Sequence, residues 1–187
     1  MRIISGSLKG RKIVHSQDKT TRPLKDMTKE AIFNIIEHSN KFSSRIKENK
    51  ILDLFSGVGS FGLECISRGA SHVSFVENYP KTFMILEKNL KNLNTECEIE
   101  IFKKNIYDNN FFEILKFKYD IIFLDPPFKE KKIKYLLTSL FNKNISKNNS
   151  LIILHRNKKE NDDFPSVFKI VEEKIYGLSK IYFGFLN

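Results

Sequence analysis

The sequence ILDLFSGVGSFG, at residues 51–62, decides the fold class because it joins an apolar run to a glycine-rich turn. Residues 51–55 have the composition of a buried strand, and the glycines at 57, 59 and 62 have the spacing G-x-G-x-x-G. Between a strand and a helix, such a turn lets the backbone approach a ligand closely. The stretch therefore predicts a βαβ unit whose first turn binds an adenosine-containing molecule.

Strands and helices are predicted to alternate along the rest of the chain. Apolar runs predict strands at 51–55, 73–76, 98–102, 120–124 and 151–154, and helical periodicity predicts helices at 25–39, from the glycine turn to 68, at 80–93, 109–116 and 130–142. Two more β-like runs, 167–175 and 180–186, are joined near Gly177 and predict an antiparallel C-terminal hairpin. This order is typical of an α/β fold, a Rossmann-like, mostly parallel seven-stranded sheet with helices on both faces.

The first 24 residues are basic and differ from the rest of the chain. Short β-like runs in residues 2–14, broken by two glycines, predict a small β-hairpin appendage. Residues 1–25 contain seven basic residues against Asp18 alone, within a chain of net charge +10. Nucleic acid is the expected partner, since neutralising phosphates releases counterions. We therefore divide the chain into a basic appendage, 1–24, and a main domain, 25–187, whose first helix presents Met27, Ala31, Ile32, Ile35 and Ile36 to the core.

Length and composition exclude several classes of protein. The 187 residues are 41% apolar, which is enough for one domain with its own core. No run of about 18 uncharged apolar residues is present, and the N-terminus lacks a secretory signal, so we expect a cytoplasmic protein with no membrane partner. Cys65 and Cys97 stand alone, and the four histidines lack metal-ligand spacing, so we expect neither a disulfide nor a metal site.

Two carboxylates narrow the choice of ligand at the glycine turn. Glu77 ends the second predicted strand, where an acid can accept both hydroxyls of a ribose. Asp53 lies four residues before Gly57, where it would repel a pyrophosphate but pair with a cationic amino group. S-adenosylmethionine has that amino group and no phosphate, so we favour it over a nicotinamide dinucleotide. The alternative for Asp53 is an ordinary strand-end acid that caps a neighbouring turn.

The tetrad Asp125, Pro126, Pro127 and Phe128 ends the fourth predicted strand. Two successive prolines neither continue a helix nor donate to a central ladder, so the chain leaves the sheet rigidly there. The Asp125 carboxylate and the Pro126 carbonyl oxygen would then accept the two N–H groups of an exocyclic amine, with Phe128 stacked on the base. Alignment of nitrogen, methyl carbon and sulfur would be the main catalytic contribution. A plain rigid strand-to-helix turn is the alternative.

These motifs together resemble the RsmD family over essentially the full length of the chain. The resemblance is carried by residues 2–11, 21–23, 30–35, 53–62, 67–70, 75–77, 125–128 and 174–177. Residues 53–59 resemble the first motif of class I methyltransferases, and the tetrad resembles the [D/N]-P-P-[Y/F] signature of amino-methyltransferases. The resemblance implies a bacterial 16S rRNA guanine-N2 methyltransferase that uses S-adenosylmethionine and acts on the small ribosomal subunit; we expect it to be a monomer.

The resemblance also implies roles for individual residues. The donor would be bound by Asp53, Phe55, Ser56, Gly57 and Gly59 at its methionine end, by Glu77 at the ribose, and by Asn78, Asn105 and Ile106 around the adenine. Catalysis would rest on Asp125, Pro126, Pro127 and Phe128, and RNA would be contacted by Arg2, Lys9, Arg11, Lys12, Arg22 and Lys25. A plain loop residue is the alternative for Asn105.

The sequence departs from the family pattern at two places and leaves rival functions open. Leu24 and Lys25 stand where a Thr is usual, which weakens the N-cap of the first helix. His155 stands where many relatives have Glu, and we expect it to be structural or to face RNA rather than to be catalytic. The rival functions are an adenine-N6 methyltransferase on DNA or RNA, a non-enzymatic RNA-binding assembly factor, and a nicotinamide enzyme.

Overall fold

Seven strands form one sheet in the computed structural model, which describes residues 1–15 and 24–187. The strands are β1 Lys50–Leu54, β2 His72–Val76, β3 Glu98–Phe102, β4 Tyr119–Leu124, β5 Ser146–Asn157, β6 Phe168–Tyr176 and β7 Ser179–Leu186. Their order in the sheet is β3-β2-β1-β4-β5-β7-β6. Strands β1 to β5 are parallel, and β7 pairs antiparallel with both β5 and β6. The predicted fold class, including the C-terminal hairpin, is confirmed.

Helices cover both faces of this sheet because successive strand residues point to opposite sides. The helices are α1 Asp26–His38, α2 Ser60–Ser67, α3 Pro80–Leu90 and α4 Ile133–Asn142. On one face, Ile51 of β1 packs in a cluster with apolar residues of α1, α2 and α3. On the other face, Leu52 packs with α4. In the described ranges, none of the helices combines the length and apolar character needed to cross a membrane.

Two local predictions were wrong. The helix expected at 109–116 is only a 3₁₀ turn, Phe111–Glu113, since the preceding Asn109 and Asn110 favour a turn over a helical start. Met27 is 84% exposed rather than in the core. The buried face of α1 instead runs along Lys29, Ile32, Phe33 and Ile36, a helical spacing that leaves Met27 on the solvent side.

The N-terminal segment, residues 1–15, packs directly against α2. In place of two regular strands it has one antiparallel bridge, between Arg2 and Lys12. The backbone N–H groups of Ile4 and Ser5 donate to the two carboxylate oxygens of Glu64, at 2.7 and 2.9 Å. A Cβ on Gly6, whose φ is +82°, would lie 1.8 Å from the carbonyl oxygen of Ser67.

The same segment contributes to the core of the sheet. Ile3 and Ile13 are buried in the cluster that contains α1, α2 and α3. The buried Lys29 of α1 links the N-terminal segment to the helices. Its ammonium donates to the carbonyl oxygen of Arg2 at 2.8 Å and lies 3.5 Å from Glu64 of α2. A boundary after residue 24 stays a prediction.

Candidate active site

A cavity of about 440 Å³ opens at the carboxyl ends of the parallel strands. It lies where the strand order reverses, between β1 and β4, which is the usual ligand site of an open α/β sheet. Its volume lies within the range of about 300–1,000 Å³ that is typical of small-molecule pockets. The predicted residues that line it are Asp53, Phe55, Ser56, Gly57, Glu77, Asn78, Asp125, Pro126, Pro127 and Phe128.

The glycine turn after β1 is built from left-handed backbone. Gly57 has φ +57° and Gly59, the N-cap residue of α2, has φ +86°. A Cβ on Gly59 would lie 2.6 Å from Cδ1 of Leu86, whereas a Cβ on Gly57 would meet nothing within 4 Å. Phe55 also has positive φ, at +59°, a conformation that costs free energy for a residue with a side chain. Gly59 is not among the described residues that line the cavity, so its role in binding the donor stays a prediction.

Asp53 caps a neighbouring turn, as the alternative interpretation expected, and its pairing with a donor stays a prediction. Its Oδ2 accepts a hydrogen bond from the backbone N–H of Gly62 in the first turn of α2, at 3.0 Å, so it caps that helix from the strand. It also lines the cavity. The side chain is almost completely buried, and this desolvation raises the pKa of Asp53 well above its usual value despite the bond from Gly62. A cation in the cavity would stabilise the charged form.

Backbone amides hold Glu77 at the edge of the same cavity. Its Oε2 accepts from the N–H of Gly57 at 2.9 Å and its Oε1 from the N–H of Tyr79 at 2.7 Å. Burial raises the pKa of Glu77, and these amides act in the opposite direction. Each carboxylate oxygen has a second acceptor site, so the fixed carboxylate can still accept hydroxyl groups from a ligand.

A second, smaller cavity of about 230 Å³ adjoins the first. Asn105 and Ile106 line it together with Phe55, Glu77 and Asn78. The Oδ1 of Asn105 accepts from the N–H of Tyr107 at 3.0 Å, as in an Asx turn, which also suits the alternative of a plain loop residue. The structure thus brings the predicted adenine-side residues together, and their contacts with a donor stay predictions.

The tetrad follows β4 and lines the main cavity. The N–H of Asp125 donates to the carbonyl oxygen of Leu54 at 3.4 Å, which ties the turn to the end of β1. Pro126 is buried, Pro127 is exposed, and Asp125 and Phe128 are half-buried. The carboxylate therefore remains accessible beside the donor side of the cavity.

Arg156, at the end of β5, fixes the turn that follows the tetrad. Its fully buried guanidinium donates to the carbonyl oxygens of Pro127, Phe128 and Glu130, at 3.2, 3.3 and 2.9 Å. Its Nε donates to the carboxylate of Asp162 at 2.9 Å. No role was predicted for Arg156 from the sequence, because nothing in a local pattern shows which carbonyl groups a buried guanidinium reaches.

His155 lies at the site, and the structural or RNA-facing role expected from the sequence stays a prediction. Its Nδ1 lies 2.8 Å from Oδ1 of Asp125, and the residue lines the main cavity. The phenyl ring of Phe128 packs edge-on against the imidazole, with 6.0 Å between the ring centroids. The available signal was position, since β5 pairs with β4 and aligns Leu154 with Leu124, one residue before Asp125.

The basic residues predicted to contact RNA differ in their exposure and in their contacts. Arg2, Lys9 and Lys12 are exposed. Arg11 donates to the carbonyl oxygens of Lys91 and Asn92, just after α3, and so supports that helix end. Lys25 is the N-cap residue of α1, makes no capping side-chain bond, and lines the main cavity. Arg22 lies outside the described residues.

No metal centre is formed by the residues in the described ranges, where no three His, Cys, Asp or Glu side chains are grouped to hold an ion. The polar lining of the cavity includes the carboxylates of Asp53, Glu77 and Asp125. Such a site can bind a cationic small molecule and present an exocyclic amine to it.

The sheet topology, with a glycine turn after β1 and the D-P-P-F turn after β4, defines a class I methyltransferase fold. Residues 1–184 match the protein-family model described as conserved hypothetical protein 95, and the chain belongs to this family, the RsmD family that its motifs resemble. It is 35% identical over 181 residues to ribosomal RNA small subunit methyltransferase D of Buchnera aphidicola subsp. Acyrthosiphon pisum, which covers 96% of this chain and 90% of the relative.

Solved structures show the same fold. The protein yhhF of Escherichia coli superposes with a TM-score of 0.80 at 23% identity, covering 100% of this chain and 98% of that one. An RNA methyltransferase from Salinibacter ruber in complex with S-adenosyl-L-homocysteine gives a TM-score of 0.64 at 13% identity, covering 88% and 94%. At these identities the two structures support the architecture alone.

Proposed function

We propose that the protein transfers a methyl group from S-adenosylmethionine to the exocyclic N2 of a guanine in 16S rRNA of the small ribosomal subunit. One observation carries the proposal: Asp53, Glu77 and the Asp125 turn line a single cavity. The methyltransferase fold and the named activity of the Buchnera relative support the reaction and the RNA substrate. When bound, S-adenosylmethionine supplies a methyl group that its sulfonium already activates.

The residues on the donor side fit this molecule. The Asp53 carboxylate would pair with the amino group, and the Glu77 carboxylate would accept the ribose hydroxyls. The buried hydroxyl of Ser60, in the first turn of α2, lines the cavity and has no hydrogen-bond partner among the described residues. It can donate to the carboxylate of the donor. The left-handed turn at Gly57 leaves open space beside them.

The acceptor side would position the amine. The Asp125 carboxylate and the Pro126 carbonyl oxygen accept its two N–H groups, and Phe128 stacks on the base. This arrangement points the nitrogen lone pair at the methyl group and excludes water from the line of transfer. Asp125 accepts the proton that the nitrogen loses after transfer, and it needs no strong basicity because the nitrogen is then positively charged.

The basic N-terminal segment would bind the RNA around the target. We assign phosphate contacts to Arg2, Lys9, Arg11 and Lys12, and to Arg22, which lies outside the described residues. Lys25, the N-cap residue of α1, lines the cavity, so we assign it a contact with the RNA next to the target base. The guanine must leave its stack to reach the amine site, as in other base-modifying enzymes.

Mass mapping of methylation on small-subunit RNA, from cells with and without the gene, tests the proposal. We expect one N2-methylguanosine to disappear with the gene and to return when the protein and S-adenosylmethionine are added. Loss of N6-methyladenosine with unchanged N2-methylguanosine would support the adenine enzyme instead. An unchanged methylation pattern would support the assembly factor. Parallel calorimetry with S-adenosylhomocysteine and NAD separates a methyl donor from a nicotinamide ligand.

A further inference from the structure

The carboxylate of Asp125 is bonded to an imidazole on the neighbouring strand. Nδ1 of His155 lies 2.8 Å from Oδ1 of Asp125, a contact between residues that are 30 positions apart in the chain. A carboxylate only accepts hydrogen bonds, so Nδ1 carries the shared proton and is the donor. Because this bond engages Oδ1, an amine in the cavity would be accepted by Oδ2.

The sheet and the turn after β4 hold this imidazole in one orientation. His155 belongs to β5, which lies between β4 and β7, and its partner in β7 is Ile181. The residue is 4% exposed, and its ring packs edge-to-face with that of Phe128. Asp125, in contrast, follows the end of β4 and its side chain is partly exposed. A carboxylate at such a place samples several rotamers when it is free, whereas a bond from a fixed ring selects one of them.

We infer that His155 is a positioning residue, which fixes Asp125 through its Nδ1–H so that Oδ2 holds the exocyclic amine in line with the methyl group. This inference rests on the proposed function, in which Asp125 accepts an N–H of the guanine amine. Alignment limits the transfer because the sulfonium already activates the methyl group, so a carboxylate that rotates away from the amine lowers the rate. His155 acts through Asp125 and needs no contact of its own with the base or the donor.

Two substitutions separate the hydrogen bond from the packing of the ring. His155→Phe keeps a ring beside Phe128 but removes the N–H. We expect its single-turnover rate of methyl transfer, on small ribosomal subunits from cells that lack the gene, to fall by about 10- to 100-fold, the loss of one hydrogen bond to a charged group. His155→Asn removes the ring but keeps an amide N–H at the Nδ1 position, so it should retain most of the rate. The affinity for S-adenosylhomocysteine should not change in either variant.

A double-mutant cycle shows whether His155 acts through Asp125. Once Asp125→Ala has removed the carboxylate, the addition of His155→Phe should lower the rate no further. Losses that multiply would overturn the inference, because His155 would then support the site by another route.

His72→Phe is the matched control for a buried histidine. His72 is also buried, and its Nε2 lies 2.8 Å from the hydroxyl oxygen of Ser74. It is the first residue of β2, at the opposite end of the parallel strands from the cavity. We expect His72→Phe to lower the stability of the protein and to keep the rate of transfer.

One measurement needs no substitution at position 155. In NMR spectra of the isotopically labelled protein, the imidazole of His155 should carry its proton on Nδ1, protected from exchange with solvent. This protection should be lost in Asp125→Ala. An Nδ1 without a proton overturns the inference, even if the variants of His155 fail to fold.

Each outcome of the rate measurements decides the inference. A slow His155→Phe, an active His155→Asn and no further loss in the double variant support it. A full rate in His155→Phe, or an equal loss in both single variants, overturns it and leaves the proposed function intact. Absence of methyl transfer to any guanine by the unchanged protein overturns the proposed function and the inference with it.

Discussion

The proposed donor and acceptor sides of the cavity lie at the ends of neighbouring strands, but different kinds of contact hold their carboxylates in place. On the donor side, the carboxylates of Asp53 and Glu77 are held by backbone N–H groups of Gly57, Gly62 and Tyr79. These residues all lie within one short stretch of the chain, 53–79. On the acceptor side, side chains at the end of β5 hold Asp125 and the turn after it, from 26 to 30 residues further along the chain.

The two aspartates also differ in their exposure to water. Asp53 is 1% exposed, whereas the side chain of Asp125 is 19% exposed and paired with His155. A buried carboxylate without a cation lowers stability, and a bound cation recovers part of that cost. The buried Asp53 therefore lowers stability on the proposed donor side, whereas the proposed acceptor side is held by side chains that are distant in sequence.

Replacing Asp125 should reduce methyl transfer without changing donor binding. In Asp125→Ala the amine loses its acceptor, so we expect the rate of methyl transfer to fall by about 10²–10³-fold. The affinity for S-adenosylhomocysteine, measured by calorimetry, should not change, because the donor side is intact. Asp163→Ala is the control, an exposed carboxylate paired with Lys134 away from the cavity. Full activity of Asp125→Ala would mean that another group holds the amine.

Replacing Arg156 tests the remote support of the acceptor side. Arg156→Lys cannot reach three carbonyl oxygens and Asp162 together, so the turn after Pro127 should loosen. We expect the single-turnover rate to fall by about 10- to 100-fold, with unchanged affinity for S-adenosylhomocysteine. Arg45→Lys is the matched control, since Arg45 also donates to several backbone carbonyl groups but lies between α1 and β1. Equal loss of rate in both variants would point to general destabilisation.

Replacing Asp53 should weaken binding and stabilise the fold. In Asp53→Asn the affinity for S-adenosylhomocysteine should drop about tenfold, because the charge-assisted bond to the amino group is lost. The amide oxygen can still cap Gly62, so removal of a desolvated charge should raise the free energy of unfolding at neutral pH. The control Asp120→Asn should lower it, because Asp120 is paired with Lys147 at 2.7 Å.

The stability gained in Asp53→Asn should depend on pH. Burial raises the pKa of Asp53 in the folded protein, so the favourable contribution of the protonated acid is fully present below its unfolded pKa. That contribution is lost as pH rises through the folded pKa. The stability gained by Asp53→Asn should therefore be present at neutral pH and disappear in acid, as denaturant unfolding at several pH values would reveal. A gain that persists in acid would contradict this account.

Reversing the charge of Lys9, which lies outside both sides of the cavity, should have the smallest effect on activity. Lys9→Glu should weaken RNA binding and reduce the slope of log affinity against log salt concentration by about one for each phosphate that the protein no longer neutralises. Binding of S-adenosylhomocysteine should stay the same. Lys169→Glu makes the same charge change on β6, at the opposite edge of the sheet, and should leave the slope unchanged. Equal slopes in both variants would make the basic segment a solubilising surface.

The difference between local and long-range contacts explains how much of the fold and the site could be predicted from the sequence. The strand–glycine–helix pattern and the D-P-P-F turn are contiguous, so they predicted the sheet and both sides of the cavity. The bond from Gly62 to Asp53 was foreseen only as an alternative, since spacing does not show which amide a carboxylate meets. His155 and Arg156 were missed as site residues because their partners depend on the register between β4 and β5. Met27 was misplaced because α1 presents Lys29 to the N-terminal segment.

The eight residues of α2 connect the two surfaces to which we assign donor binding and RNA binding. Its first turn meets Asp53 beside the donor turn, and its last residues bind the N-terminal segment through Glu64 and Ser67. A straight helix of this length spans about 12 Å and does not stretch. The distance between the proposed RNA contact and the proposed donor site is thus preset by one rigid helix, which would limit where on an RNA surface a base could be modified.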